Sequence, residues 1–94
     1  YEDQAQYATV GSHVECSGQV LSPDALPDGT AATWNIKVES TSGGYKKEYD
    51  DVPTGAKVDF SVPTSFGETT LTVKLWSSRG AMDAGVTGTL EMSD

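Results

Sequence analysis

The sequence predicts an all-β domain of antiparallel strands packed as a sandwich or barrel, and three observations carry that prediction. Apolar and polar residues alternate strictly in segment after segment, the pattern of a strand with one face buried and the other in water. Turn signals arrive about every 8 to 12 residues, the spacing of short antiparallel strands. No window of roughly a dozen residues shows the 3.6-residue period of an amphipathic helix, so helix is expected to be nearly absent.

The elements follow in order. Ala5 to Val10 is the weakest segment and counts as a strand on Tyr7, Ala8 and Val10. Val14, Cys16, Gly18 and Val20 then alternate with His13, Glu15, Ser17 and Gln19 and form the inner face of a second strand. Leu21 to Thr30 is read as a loop at one tip, because Pro23, Pro27 and the Pro27-Asp28-Gly29 turn exclude helix and strand alike. Trp34, Ile36 and Val38 face in against Thr33, Asn35, Lys37 and Glu39, and Thr41-Ser42-Gly43-Gly44 supplies the positive-φ residues of a hairpin. The returning strand is Tyr45 to Tyr49, and Val52-Pro53-Thr54-Gly55 makes the next turn.

Val58, Phe60 and Val62 alternate with Lys57, Asp59 and Ser61 until Pro63 stops the ladder, and Pro63 and Gly67 bracket a connection that carries Phe66. Leu71, Val73 and Leu75 face in while Thr70, Thr72 and Lys74 face out. Val86, Gly88, Leu90 and Met92 repeat the pattern against Thr87, Thr89 and Glu91 and complete seven strands. No internal repeat or flexible tether is visible, so residues 1–94 read as a single domain.

Composition bounds the function. Ninety-four residues suit one small domain with one modest core and exclude a two-domain enzyme. Six Lys and Arg against 14 Asp and Glu give a net charge of -8. The acidity is spread over both halves: three basic and six acidic residues stand in 1–47, three and eight in 48–94. Such a surface repels phosphate backbones and anionic lipid, so no nucleic-acid or membrane-surface partner is expected. Cys16 is the sole cysteine, which excludes an intrachain disulfide and a cysteine-based zinc or iron-sulfur site. There is no apolar run of the 18 or so residues that a spanning helix needs, so no membrane insertion is expected. A start at Tyr1 with no signal-like segment reads as a processed or excised chain.

Seven short strands with Cys16 inward on the second and Trp34 inward on the third resemble the immunoglobulin-like and fibronectin type III-like sandwiches over nearly the whole chain. The second core cysteine of an immunoglobulin domain is missing, Val73 standing about where it would be, and no tyrosine two positions earlier makes the corner. The resemblance is therefore one of architecture: an all-β, antiparallel, seven-stranded immunoglobulin-like β-sandwich. Phe66-Gly67-Glu68-Thr69-Thr70-Leu71-Thr72-Val73-Lys74-Leu75 also looks like the penultimate strand of immunoglobulin-like modules in bacterial surface and secreted proteins. That likeness implies a secreted, periplasmic or cell-surface setting and a non-catalytic role as spacer, adhesive module or assembly subunit.

The residues themselves offer few candidates for chemistry. A nucleophilic triad needs a base beside a thiol or hydroxyl, and the sole histidine, His13, points by alternation away from Cys16, so an enzyme of this class is rejected. Asp24 with Asp28, or Asp50 with Asp51, would have to span a cleft to act as a glycosidase pair, and turn positions give them none. Glu48, Asp50 and Asp51 are the densest oxygen supply for calcium, but the EF-hand spacing is absent and solvated turn acids are the simpler reading, so no cofactor is assigned.

Trp76 follows the inward Leu75 and so falls on the outward register of Thr72 and Lys74. With Tyr45, Tyr49 and Tyr7 it defines a candidate aromatic face for a carbohydrate or protein partner. The simpler alternative is that Arg79 and the Gly80 to Gly85 loop fold over it. Lys46 and Lys47 are read as guards of an edge strand. The N-terminal segment, Tyr1 to Val10, either pairs in its own sheet, the favoured reading, or self-associates by extending into a neighbour's edge.

Overall fold

In the computed structural model, residues 4–10, 16–41, 43–62 and 69–93 are described. The chain is all-β, with two antiparallel sheets and a short 3-10 turn at Gly80–Asp83. The strands are β1 (Gln4–Val10), β2 (Ser17–Ser22), β3 (Thr33–Ser40), β4 (Lys46–Pro53), β5 (Lys57–Asp59), β6 (Thr69–Ser77) and β7 (Thr89–Ser93). One sheet has the order β1-β6-β3-β4 and the other β5-β2-β7.

Alternation places the core as expected. Ile36 of β3 lies directly across from Leu75 of β6 and Val38 from Val73, while Trp34 and Leu71 flank them across from Ser77 and Ser40, and all six apolar residues are buried. Val20 and Leu90 from the second sheet join the same cluster, together with Cys16, Phe60 and Val62. Glycine marks the tightest packing. A Cβ on Gly18 would stand 2.5 Å from the Phe60 ring, and one on Gly88 would stand 3.0 Å from the Trp34 ring. The inner face therefore needs side-chain-free positions under both large rings, Trp34 reaching across to the approach of β7 and Phe60 lying over the adjacent strand β2 of its own sheet.

Several boundaries differ from expectation, each for a local reason. β2 continues through Leu21 and Ser22, carried past a bulge by pairing with β7, although the proline-rich stretch reads as loop. β4 runs beyond Tyr49 to Pro53. Tyr49 pairs with Ile36 and Val52 with Trp34, so two residues, Asp50 and Asp51, oppose the single Asn35. Positions three apart would face opposite ways in a regular strand, and this bulge lets both face the core. Asp51 takes a positive φ of 54° to make it, and its N–H donates to Asn35 Oδ1 at 3.2 Å. Pro53 is tolerated because β4 lies at the sheet edge.

β5 stops at Asp59 although alternation continues to Val62. Asp59 Oδ1 accepts from the Ser61 N–H at 2.8 Å and from the Ser61 hydroxyl at 2.5 Å, a local turn that replaces the ladder. β7 begins only at Thr89, so Val86 and Gly88 precede it, Gly88 buried and Val86 packed against the core. Gly43 and Gly44 hold the positive φ angles expected of the β3–β4 hairpin. His13, Val14, Glu15, Pro63, Phe66 and Gly67 lie outside the described residues.

Candidate functional site

The outward face of β3, β4 and β6 is where the sequence placed a binding surface, and backbone register defines it. Asn35 lies across from Trp76, Lys37 from Lys74 and Glu48, and Glu39 from Thr72 and Lys46. Lys37 Nζ pairs with Glu39 at 3.1 Å and Lys46 Nζ with Glu48 at 3.3 Å. Each pair joins residues two apart on one strand, which share a face by the two-residue period of the strand. Exposed pairs of this kind add little stability, but they neutralise Lys37 with Glu39 and Lys46 with Glu48.

The three aromatic candidates do not form one surface, which corrects the expected Trp76, Tyr45 and Tyr49 face. Trp76 is half-buried on the outward register, beside Asn35. Tyr45 is buried in the core, and its hydroxyl donates to the carbonyls of Phe60 at 3.0 Å and Ser61 at 2.8 Å. Tyr49 also faces inward: its ring tilts against Phe60 with centroids 5.9 Å apart, and its hydroxyl donates to the Asp59 carbonyl. The two tyrosines thus tie β4 and the residue before it to the end of β5 and the two residues that follow it. Alternation alone did not reveal this, because Tyr45 stands at the hairpin where the strand pattern begins and Tyr49 is carried inward by its pairing with Ile36. Tyr7 pairs through its backbone with Thr72.

Burial pushes the Tyr45 phenol up to about 12, with the neighbouring Tyr49, Asp59 and Cys16 adding to the effect. Asp59 moves the other way, held below the usual carboxylate range by the Ser61 hydroxyl and N–H.

Glu48, Asp50 and Asp51 are all exposed, and Glu48 is paired with Lys46. Among the described residues no three His, Cys, Asp or Glu side chains converge as a shell for a metal ion.

A charged cluster that the sequence reading did not assemble lies at the opposite end. Arg79 grips Asp83 with two bonds, Nε to Oδ2 at 2.8 Å and Nη2 to Oδ1 at 2.6 Å, while Nη1 reaches Asp28 at 2.7 Å. Asp83 is buried, and its Oδ2 also accepts from the Ser77 hydroxyl at 2.6 Å. The arrangement staples the loop after β2 to the loop after β6. Its Arg79 hydrogen bond, seconded by the Thr30 N–H, holds Asp28 down at about 2. Arg79 first and Ser77 second keep Asp83 below the usual carboxylate range. The i, i+4 spacing of Arg79 and Asp83 was a visible signal, whereas Asp28 is 51 residues from Arg79 and only the fold brings it near.

Beside this staple, Trp34 Nε1 donates to Thr54 Oγ1 at 2.8 Å, and Thr54 Oγ1 donates to the Pro23 carbonyl at 2.8 Å. Trp34 therefore has a satisfied indole N–H within the core. Comparison with family models, with curated proteins and with solved structures finds no match for the chain.

Proposed function

We propose that the chain is an immunoglobulin-like β-sandwich that serves as a non-catalytic extracellular binding or structural module, with a spacer as the simplest role. The observation that carries this reading is strand polarity. β1 and β3 both run antiparallel to β6, so β1 rises with β3 from the Trp34 end toward the Tyr45 end. β7 runs antiparallel to β2, which descends from its pairing with Asp59 to Pro23 beside Thr54 and Trp34. The first and last strands therefore point the same way along a body 44 Å long and 21 by 16 Å across. Modules with that polarity connect in series without the chain doubling back.

The mutually paired charges of the outward face also suit a solvated flank. A carbohydrate platform has less support, because Tyr45 and Tyr49 face away from Trp76. Among the described residues no helix is long and apolar enough to cross a membrane.

Two copies joined head to tail by a short linker test the reading. Small-angle scattering is expected to give a long dimension roughly twice that of one copy, whose described length is 44 Å. Two copies lying side by side, with the long dimension barely increased, would overturn it.

A further inference from the structure

We propose that the open edge of β1 is an association surface for a second copy of this chain, joined by antiparallel β1–β1 pairing across a two-fold axis. Sheet order leaves one side of β1 without a neighbour among the described residues. A strand in that position presents alternate backbone N–H and C=O groups outward, a template for another strand. Protein sheets usually protect such edges with charge, bulges or brevity.

The other three edges of this molecule carry those protections. β4 bears Lys46, Lys47, Glu48, Asp50 and Asp51 and is kinked at the Asp51 bulge. β5 has three residues, two of them charged, and β7 has five with Glu91 at its centre. β1 is different: its seven residues, Gln4-Ala5-Gln6-Tyr7-Ala8-Thr9-Val10, include no charge, no proline and no glycine. It pairs with β6 over its whole length without a register shift, so its backbone is regular enough to accept a second partner.

Charge decides which edge a second copy can use. Each copy carries -8, so two copies repel, and β1 is the edge strand that adds no charge of its own to that repulsion. β1 is also suited to self-pairing. With Tyr7 opposite Tyr7, an antiparallel copy sets Ala5 against Thr9, Gln6 against Ala8 and Gln4 against Val10. Every position then meets one of the same register, and the two four-stranded sheets become continuous. The contact is isologous and closes as a dimer. β1 keeps its place beside β6, so no strand is exchanged. A single strand pair is a small interface, and the dimer is correspondingly weak and concentration dependent. This inference does not depend on the spacer reading, and a failure of the tandem experiment leaves it standing.

Sedimentation velocity over a concentration series, at low and high salt, tests it. The protein is expected to pass from the 9.9 kDa monomer to dimer as concentration rises, and at lower concentration in high salt, where the repulsion between copies is screened. Ala5→Glu combined with Thr9→Glu sets like charges opposite each other twice across the axis, and association should weaken roughly ten-fold. Ala5→Glu combined with Thr9→Lys sets opposite charges there and should restore association at least to its original strength. The near-ultraviolet circular dichroism of the tryptophans verifies that each variant is folded. A monomer at every concentration in both salts overturns the proposal, as does a double-glutamate variant that associates undiminished or a Glu and Lys variant no stronger than it. If either variant fails to fold, the salt series on the unaltered chain decides alone.

Discussion

The two ends of the molecule are built on the same device and fastened by different chemistry. At each end a large buried ring sits on a glycine: Trp34 on Gly88, which leads into a strand of the other sheet, and Phe60 on Gly18, which lies on the neighbouring strand of its own sheet. At the Trp34 end the surrounding loops are held by the Arg79, Asp28 and Asp83 staple and by the Ser77 hydroxyl. At the Tyr45 end the fasteners are neutral phenols donating to the backbone carbonyls of residues 59–61. Ring-on-glycine packing joins the two sheets at the Trp34 end and adjacent strands of one sheet at the Phe60 end, whereas the fasteners decide which solution conditions loosen each end.

The largest effect expected is at the Trp34 ring. Trp34→Ala should cost about 3 to 5 kcal/mol in chemical denaturation, the range for removing a large core ring and leaving its cavity. A cost below about 1 kcal/mol would mean that the two ends are not equally dependent on their rings.

Adding a methyl under each ring compares the ends directly. Gly18→Ala drives a Cβ to within 2.5 Å of Phe60 Cε2, against 2.9 Å from Leu75 Cδ2 for Gly88→Ala. Both should destabilise by about 1 to 3 kcal/mol through overpacking, with Gly18→Ala the worse. The reverse order, read from denaturation midpoints, would show that the Tyr45 end relaxes more readily than its buried ring suggests.

The fasteners should separate by pH. Asp28 and Asp83 have folded pKa values below their unfolded ones, so their contribution is present above the carboxylate range and is lost as pH falls from 3.8 toward 2. Tyr45 has a raised pKa, so its contribution is constant below 10 and is lost as pH rises from 10 toward 12. Arg79→Ala should therefore shrink the acid limb of the stability profile and spare the alkaline limb, with Asp59 at the other end keeping a remnant of the acid response. Tyr45→Phe should do the opposite, flattening the alkaline limb at a neutral-pH cost of about 1 kcal/mol, the smallest effect of the series. Thermal melts from pH 2 to pH 12 read both limbs, and one substitution that flattens both would dissolve the distinction between the ends.

Alternation made much of this legible before any coordinates. It placed Trp34, Ile36, Val38, Leu71, Val73 and Leu75 inward because a two-residue period and one buried face leave no other register. It also put Trp76 on the outward register, which the pairing with Asn35 bears out. It failed where the backbone leaves the regular ladder. Tyr49 and Val52, three positions apart, share a face only because Asp50 and Asp51 bulge against Asn35, and no spacing rule announces that. Tyr45, taken as a surface aromatic, is buried because the residues after Asp59 leave β5 and offer carbonyls to its hydroxyl. Asp28, a turn acid by its Pro27-Asp28-Gly29 context, becomes a partner of Arg79 through the meeting of two distant loops.

The sequence by itself determined the all-β class, the inward residues of the long strands, the acidic surface and the positive-φ hairpin, because each rests on local pattern or on composition. Only the tertiary structure decided that β1, β5 and β7 are edges in addition to β4, which loops meet and which aromatic rings share a face. Those depend on contacts between residues far apart in the chain, whose free energy is gained only once two sheets and their connecting loops have come together.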